Sequence, residues 1–247
     1  MFSGLIHINF WQGVIIVLVS MQFTSAAVSL YLHRSMTHRA ITFHPLMCHL
    51  FRLWIWLTTV GVTTRQWVAV HRKHHAKCDT VEDPHSPQIH GLWALLTRGT
   101  LLYRKAARNE ELVKVYGVGI KEDWLDRHLY VVHRYKGAPL FLLIEMLVFG
   151  AGAGSLVWLF QILALPFWAS GFINGLAHTA GYRNHATKDD SRNLFPLGLI
   201  FCGEELHNNH HARPGSAKLS EKWYEFDMGW AVVCTLSMVK LCRINKR

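Results

Sequence analysis

The chain has 247 residues, of which 51% are hydrophobic and 17% charged, and it carries a formal net charge of +10. No recognised nucleic-acid-binding motif accompanies the basic charge, which argues against a nucleic-acid partner. The apolar residues are gathered in long runs separated by basic segments, as in proteins embedded in a membrane. The composition therefore favours one integral membrane domain over a soluble protein.

The first predicted element is the apolar run 8–32, which contains no charged residue over 25 positions. A helix of this length rises about 38 Å, whereas the hydrocarbon core of a bilayer is about 30 Å thick. The residues before the run include no Lys or Arg, so the basic region of a cleaved secretory signal is missing. A retained membrane span is predicted.

Two groups of histidine follow this run. His33 and His38 stand five residues apart, and His71, His74 and His75 form an H-x-x-H-H cluster. Residues three and four apart share one face of a helix, so the cluster can converge on one point, and neutral imidazole is the commonest metal ligand. A spacing of five corresponds to about 140° around a helix, so the first pair favours two neighbouring ions over one.

Residues 46–64, between these two groups, are apolar but include His49 and Arg52. If all histidine groups serve one site, they lie on one membrane face, and an even number of crossings separates them. Residues 46–64 are therefore predicted as an interfacial segment, with Arg52 extending to water. The more polar residues 65–136 are predicted to form part of a cap over the site.

A second apolar region, 138–176, contains Glu145 as its single charge and is interrupted by the glycines of 150–154. It predicts two spans, 138–150 and 155–176, joined by a flexible turn. Residues 177–247 complete the cap, which the basic loops assign to the cytoplasmic side. The predicted fold is a single domain, 1–247, an all-α integral membrane protein whose transmembrane helices are capped by a cytosolic helical domain.

The end of the last predicted span and the cap contain further candidate ligands. Asn174 and His178 are four residues apart on one predicted helix face, and His207, His210 and His211 repeat the H-x-x-H-H spacing. Ionisable groups at the ends of membrane spans tend to be functional, which favours a metal role for His178 over a structural one. The candidate imidazole ligands therefore number nine.

Carboxylates near the clusters are candidates for accepting the second N–H of a ligand imidazole, which orients the ring. Glu204 and Glu205, directly before the third cluster, are favoured, and Asp79, Glu82 and Asp83 are further candidates; a solvated surface charge is the alternative for each. His85 is a candidate for the same role or for a substrate contact, or else a loop histidine bonded to the backbone. Cys78 is interpreted as a bystander thiol rather than a ligand.

The three groups H-R-S-M-T-H, H-R-K-H-H and H-N-N-H-H, in that order and separated by apolar segments, resemble the histidine boxes of membrane fatty acid desaturases. Four longer strings resemble bacterial acyl-CoA desaturases of the delta-9 type. They are W-V-A-V-H-R-K-H-H at 67–75, E-D-P-H-S-P at 82–87, N-G-L-A-H-T-A-G-Y-R at 174–183 and G-E-E-L-H-N-N-H-H at 203–211. The resemblance extends from His33 to Trp230.

This resemblance implies two iron ions that use O2 and two electrons to remove two hydrogens from a saturated acyl chain. The expected product carries a cis double bond at the delta-9 position, and no catalytic side chain beyond the metal ligands is implied. The implied iron ligands are His33, His38, His71, His74, His75, His178, His207, His210 and His211. Asn174 is implied to reach one iron through water. Because this chain has a single run, 8–32, before the first box, three crossings and an outside N-terminus are expected.

No flavin, haem or nicotinamide motif is present, so the electrons are expected from a partner protein, namely a ferredoxin, a cytochrome or a flavoprotein reductase. The expected substrate is a fatty acyl-CoA or an acyl-lipid, and the expected location is a membrane, the bacterial inner membrane, with the site on the cytoplasmic face. Two alternatives stay open: a membrane di-iron hydroxylase of alkyl or lipid chains, and a histidine-rich metal-binding or transport protein. A transporter is expected to have polar residues inside several spans, whereas the 8–32 run is uncharged.

Overall fold

The computed structural model describes residues 3–245, except the side chains of residues 166 and 168–170. These residues are mostly helical. The α-helices are α1 (Phe10–Ala26), α2 (Pro45–Thr58), α3 (Thr64–Lys77), α4 (Pro87–His90), α5 (Leu92–Ala107), α6 (Glu110–Tyr116), α7 (Gly137–Phe149), α8 (Ala151–Pro166), α9 (His207–Ala212) and α10 (Met228–Met238). The π-helical segments are Ala27–Thr37, Asp126–Tyr130 and Phe167–Gly175, and a 3₁₀ turn covers Leu176–His178.

Two short strand pairs add to the helices. Strand β1 (Ile41–Phe43) pairs antiparallel with β4 (Cys242–Ile244), and β2 (Leu197–Gly198) pairs in parallel with β3 (Phe226–Asp227). The pairing of β1 with β4 joins the chain's last described residues to the segment that follows His38. Strands of two or three residues are too short for an alternating pattern, which is why the sequence predicts none of them.

The first helix begins at a capping box formed by Asn9 and Gln12. It continues without a break over Phe10–Thr37, and its most apolar 18-residue window has a mean hydropathy of 1.9. Among the described residues it is the one helix long and apolar enough to cross a bilayer. Its last part, from Ala27, is π-helical. The helix extends five residues past the predicted end at 32, because no Pro or Gly interrupts it before Arg39, whose φ is +54°. His33 is therefore inside the helix.

Helices α7 and α8 form a hairpin whose turn is confined to Gly150, with φ +87°, whereas the sequence predicts a turn over 150–154. Gly154 is helical because α8 packs closely on α7 there: a Cβ on Gly154 would lie 2.3 Å from the Glu145 carbonyl oxygen. The Glu145 side chain is buried and accepts a hydrogen bond from Gln161 Nε2 at 2.9 Å. Both helices are apolar but are shorter than the membrane span of about 20 residues.

Residues 46–64 form α2 and a short non-helical connection. Arg52 does not extend to water as predicted: its side chain is 10% exposed, and Nη1 donates to Asp123 Oδ2 at 2.7 Å and to Asp126 Oδ2 at 2.8 Å. These two carboxylates, 71 and 74 residues later in the chain, compensate the charge locally, so it does not need to reach solvent. The sequence provides no sign of this long-range pairing.

An apolar surface is formed by α1, α7 and α8 together. These helices pack on one another and leave large aliphatic and aromatic side chains exposed on their outer faces. The most exposed members are Phe10, Trp11, Ile15, Phe23, Leu143, Leu147, Leu156, Phe160 and Leu163. Exposed apolar surface on this scale is typical of contact with lipid or with another protein.

The remaining elements form the cap. Helix α3 packs against the π-helical end of the long helix and against α5 and α6, and α10 packs against the same end and against β4. Two buried clusters stabilise this arrangement, one around Leu30, Ile41 and Val233 and the other around Ala69, Val70 and Leu112. The packing holds α3 and α9 at the end of the long helix, where the histidines are.

Candidate metal centre

Five imidazoles form the first of two groups, which we call site 1. His33 comes from the long helix, His38 from the residue after it, His71 and His75 from adjacent turns of α3, and His210 from α9. One ligand nitrogen from each of the five lies within 4.8 Å of all the others. The Nε2 atoms approach closely, at 2.9 Å for His33 and His210 and 3.0 Å for His71 and His75.

The other four imidazoles form site 2, beside site 1. His178 Nε2 lies 3.1 Å from His207 Nε2, and the ring centres of His207 and His211 are 4.4 Å apart. His74 completes the group, with its ring centre 5.1 Å from that of His178 and 5.2 Å from that of His211. All nine predicted ligands therefore lie in two adjoining groups.

Helices α3 and α9 explain why the sites adjoin. In each H-x-x-H-H cluster, the first and last histidines are about 40° apart around the helix, whereas the middle one lies about 60° to the other side of the first and about 100° from the last. In α3 the pair His71 and His75 enters site 1 and His74 enters site 2. In α9 the assignment is reversed, since His207 and His211 enter site 2 and His210 enters site 1. Each helix therefore contributes to both sites.

The donor chemistry fits metal ions. His33 donates its Nδ1–H to Glu204 at 2.8 Å, so in the neutral ring Nε2 is a lone pair directed at His210 Nε2. His210 Nε2 also faces His75 Nε2 at 2.9 Å, and one N–H cannot satisfy two such contacts in a straight line. The Nδ1 atoms of His207 and His210 are buried with no partner. Converging lone pairs in a dry pocket are satisfied when a cation accepts them.

Four carboxylates accept the outward N–H groups of candidate ligand imidazoles. Besides Glu204 on His33, Asp83 Oδ2 lies 3.0 Å from His74 Nδ1, and Asp79 Oδ2 lies 3.0 Å from His178 Nδ1. Asp189 Oδ2 lies 3.1 Å from His211 Nδ1. Such partners set which nitrogen keeps the proton and leave Nε2 free for a metal.

Some of the predicted carboxylates contact a histidine in the structure, and others do not. Asp83 and Glu204 lie on ligand histidines, but Glu205 does not: its carboxylate accepts backbone N–H groups of Ile200, Phe201 and Gly203 and holds the turn before α9. Neighbouring residues of a tight turn point in different directions, so only one of the two can reach a histidine. Asp79, a candidate that stands beside the second cluster, lies on His178 rather than on a histidine of that cluster. Asp189 comes from a loop 22 residues before His211 and has no sequence signal.

The ionisation of these carboxylates follows from their contacts. Burial opposes the charged form of Asp79, but hydrogen bonds from His178, the Asp190 backbone and Ser86 outweigh it and lower the pKa to about 2. Burial likewise tends to raise the pKa of Asp83, Asp189 and Glu204. Interactions with a neighbouring histidine outweigh it and lower the pKa of each group below its usual value. The four groups are therefore carboxylate anions at neutral pH.

His85 and Asn174 lie next to the ligands. His85 is buried and stacks on His74 at a ring distance of 4.6 Å; burial and the neighbouring His74 lower its pKa to about 3. Its backbone N–H donates to Asp83 Oδ1, and its Nδ1 has no hydrogen-bond partner, although Asp83 Oδ1 lies 3.9 Å away. Asn174 is half-buried in the π-helical segment Phe167–Gly175, four residues before His178.

Cys78 is closer to site 2 than its interpretation as a bystander implied. Its Sγ lies 3.8 Å from His74 Nε2 and 3.9 Å from the Nδ1 atoms of His178 and His211. Burial and nearby carboxylates, Asp79 first among them, raise the pKa of this thiol, so it is neutral in the metal-free protein.

A buried ion pair connects the first and third histidine groups. Arg34, next to His33, is 1% exposed and donates to both carboxylate oxygens of Asp227 at 2.9 Å. It also donates to the carbonyl oxygens of Cys202 and Ala217. Gly203 and Gly229 leave the space, since a Cβ on either would lie within 2.6 Å of Arg34 Nη2. The guanidinium thus anchors the segment that carries α9 to the long helix.

Replacing Asp189 by asparagine is expected to weaken metal binding at site 2 by about 10–100-fold, because the amide cannot accept the His211 N–H with the strength of a carboxylate. The measurement is a titration of the metal-free protein with Fe²⁺ under anaerobic conditions. Glu82→Gln is the matched control, since Glu82 is exposed and pairs with Lys77. Equal affinities in the two variants would contradict the role of Asp189.

The free energy of unfolding of the metal-free protein is expected to fall as the pH decreases below about 6.5. Burial, aided by neighbouring imidazoles, lowers the pKa of His71, His75, His207 and His210 well below the usual value. Below about pH 6.5 the unfolded chain binds protons that the folded chain does not, at about 1.4 kcal/mol per pH unit for each such group. Thermal unfolding between about pH 7.5 and pH 5.5 measures the effect; a constant midpoint would argue against it.

Comparison with known proteins finds a matching family profile and several relatives of similar sequence. Residues 9–231 match the sequence profile of the family described as fatty acid desaturase. The chain is 28% identical over 221 residues to an sn-1 stearoyl-lipid 9-desaturase of Synechocystis sp., covering 87% of this chain and 66% of that protein. It is 29% identical over 243 residues to delta-9 acyl-lipid desaturase 1 of Arabidopsis thaliana, covering 94% and 74%. The chain thus spans 66% and 74% of the length of these relatives.

Proposed function

Since the chain belongs to the fatty acid desaturase family, we propose that it introduces a cis double bond, at the delta-9 position, into a saturated fatty acyl chain. The observation that supports this most strongly is the convergence of nine histidines into two adjoining sites. The relatives named delta-9 and 9-desaturases support the same reaction and position. Members of the family are associated with membranes, and a lipid acyl chain is the substrate that fits.

We propose that each site holds one iron ion. Five imidazoles hold the ion of site 1, and four imidazoles, with Asn174 through water, hold that of site 2. The ions would supply the redox chemistry by which O2, with two electrons from a donor, two protons and two hydrogens of the acyl chain, is reduced to two water molecules. Iron is favoured over zinc because zinc does not change its oxidation state. Imidazole ligation suits iron, and the other donors near the sites are mostly committed to hydrogen bonds.

The protein side chains position these ions and exclude water. Four of the imidazoles are each at most 1% exposed, so their lone pairs do not accept hydrogen bonds from bulk water; they are His74, His178, His207 and His210. Asp79, Asp83, Asp189 and Glu204 hold four of the rings in one tautomer. Trp67 stacks on His71, with ring centres 4.9 Å apart and planes 14° apart, which restricts the rotation of that ring. The centre is therefore preorganised before substrate arrives.

We propose an acyl-lipid rather than an acyl-CoA as the substrate. Two relatives are named for lipid-linked acyl chains, stearoyl-lipid and acyl-lipid. The apolar surface of α1, α7 and α8 supports a position in the bilayer with the cap and both sites on the cytoplasmic face. Electrons are proposed to come from a separate ferredoxin, cytochrome or flavoprotein reductase, which docks on the basic cap.

The test is expression in a host that makes no unsaturated fatty acids, with double bonds localised in each lipid class by mass spectrometry. The expected product has lost two hydrogens at the delta-9 position of a membrane lipid. Gain of one oxygen would identify the hydroxylase alternative instead. An identical lipid profile with and without the chain, despite its insertion in the membrane, would overturn the proposal. Labelled acyl-CoA and labelled phospholipid, supplied separately to membranes, distinguish the two carriers.

A further inference from the structure

The edge of site 2 that faces away from His207 has its own set of donors. His178 Nε2 faces His207, whereas His178 Nδ1 and His211 Nδ1 face Cys78, each 3.9 Å from Sγ. His74 Nε2 lies 3.8 Å from the same sulfur. One donor atom from each of these four residues lies within 4.8 Å of the other three. Zinc bound tetrahedrally by one sulfur and three nitrogens requires sulfur–nitrogen separations of about 3.5 Å, so each of these three pairs needs to close by about 0.3–0.4 Å.

The charges around this edge also suit a cation. Asp79 Oδ2 and Asp189 Oδ2 lie 3.0 Å and 3.1 Å from the two Nδ1 atoms, and Asp79 Oδ2 is 3.7 Å from Cys78 Sγ. The iron ligands proposed for site 2 are all neutral. Moreover, His211 Nε2 has no hydrogen-bond partner although its side chain is 1% exposed, so that ring can take its proton on Nε2 when Nδ1 binds an ion.

We propose that Cys78, His74, His178 and His211 form an alternative, sulfur-containing metal site that takes a thiophilic divalent cation such as Zn²⁺. The inference rests on the proposed function, because the three histidines also serve site 2. On binding, the Cys78 thiol loses its proton to solvent, the metal–sulfur bond forms, and the protons of His178 and His211 move from Nδ1 to Nε2. No electron is transferred. Thiolate favours zinc over iron, so a thiophilic cation displaces the iron ligation of site 2.

The experiment uses Co²⁺ as a spectroscopic substitute for zinc in the metal-free full chain in detergent micelles. A near-ultraviolet thiolate-to-cobalt charge-transfer band is expected in the wild type and absent in Cys78→Ser. Cys234→Ser, which changes a thiol in α10, is the control and should keep the band. Added Zn²⁺ should remove the band in the wild type, and the affinity for Zn²⁺ should fall at least about tenfold in Cys78→Ser.

A second measurement needs no substitution. Alkylation of Cys78 in the wild type, followed by mass spectrometry, should slow at least about tenfold when Zn²⁺ is added. If Co²⁺ binds with the same spectrum in the wild type and in Cys78→Ser, and Zn²⁺ gives no protection, the inference is overturned while the histidine sites stand. If the folded metal-free chain takes up no divalent metal at all, both the inference and the proposed function fail.

Discussion

Replacing His210 by alanine is expected to abolish desaturation while the protein still inserts into the membrane. His210 Nε2 lies 2.9 Å from both His33 and His75, so it connects the ligand from the long helix with the ligand from α3. Its removal leaves site 1 with a gap at its centre, and the remaining rings cannot close around an ion. His74→Ala is expected to have the same effect through site 2. The measurements are unsaturated product by mass spectrometry and bound iron per chain.

The matched control is His90→Ala. His90 is exposed at the end of α4 and belongs to neither site. It should keep both product and iron, which separates loss of a ligand from the loss of any histidine. Product formation by His210→Ala at the wild-type rate would remove the basis for the two-site assignment.

Replacing Asp227 by alanine is expected to destabilise the protein by about 3–5 kcal/mol, because it leaves the Arg34 guanidinium buried without a counter-charge. Asp227 is fully buried and also accepts the backbone N–H groups of Leu219 and Trp230, which lose their partner. For a chain of this size the change corresponds to a decrease in melting temperature of about 6–20 °C. Thermal unfolding in detergent micelles measures it.

An exposed ion pair provides the comparison for this substitution. Lys77 and Glu82 lie 2.7 Å apart, with 39% and 56% of their side chains exposed. Such pairs contribute about 0–1 kcal/mol, so Glu82→Ala should change the melting temperature little. Similar shifts for Asp227→Ala and Glu82→Ala would show that the buried pair does not hold the α9 segment in place.

The local features of the fold follow closely from the sequence. The uncharged run after Asn9 predicts a membrane-length helix, and the spacing of each H-x-x-H-H cluster predicts a helix with converging imidazoles. Boundaries are less predictable. The turn after α7 needs one glycine with positive φ, and the sequence offers three between residues 150 and 154. Only the close packing of Gly154 on Glu145 decides that Gly150 is the turn.

Partners that are distant in the chain could not be predicted. Arg52 lies in an apolar segment, where an arginine is expected to extend to water, but its side chain is paired with Asp123 and Asp126. Asp189 and Glu204 each reach a histidine, whereas Glu205 turns to the backbone. A carboxylate's direction depends on the fold of the loop that carries it, and this is not encoded in its distance along the chain from a cluster.

By itself, the sequence determined the membrane-length helix, the helical character of the histidine clusters and the number of candidate imidazole ligands, because these depend on residue type and short-range spacing. The tertiary structure decided how nine imidazoles divide into five and four, which carboxylates orient them, and that the Cys78 thiol faces site 2. The physical reason is that hydrophobicity and helical periodicity act between near neighbours, whereas these contacts arise only when distant segments pack and bury their polar groups together.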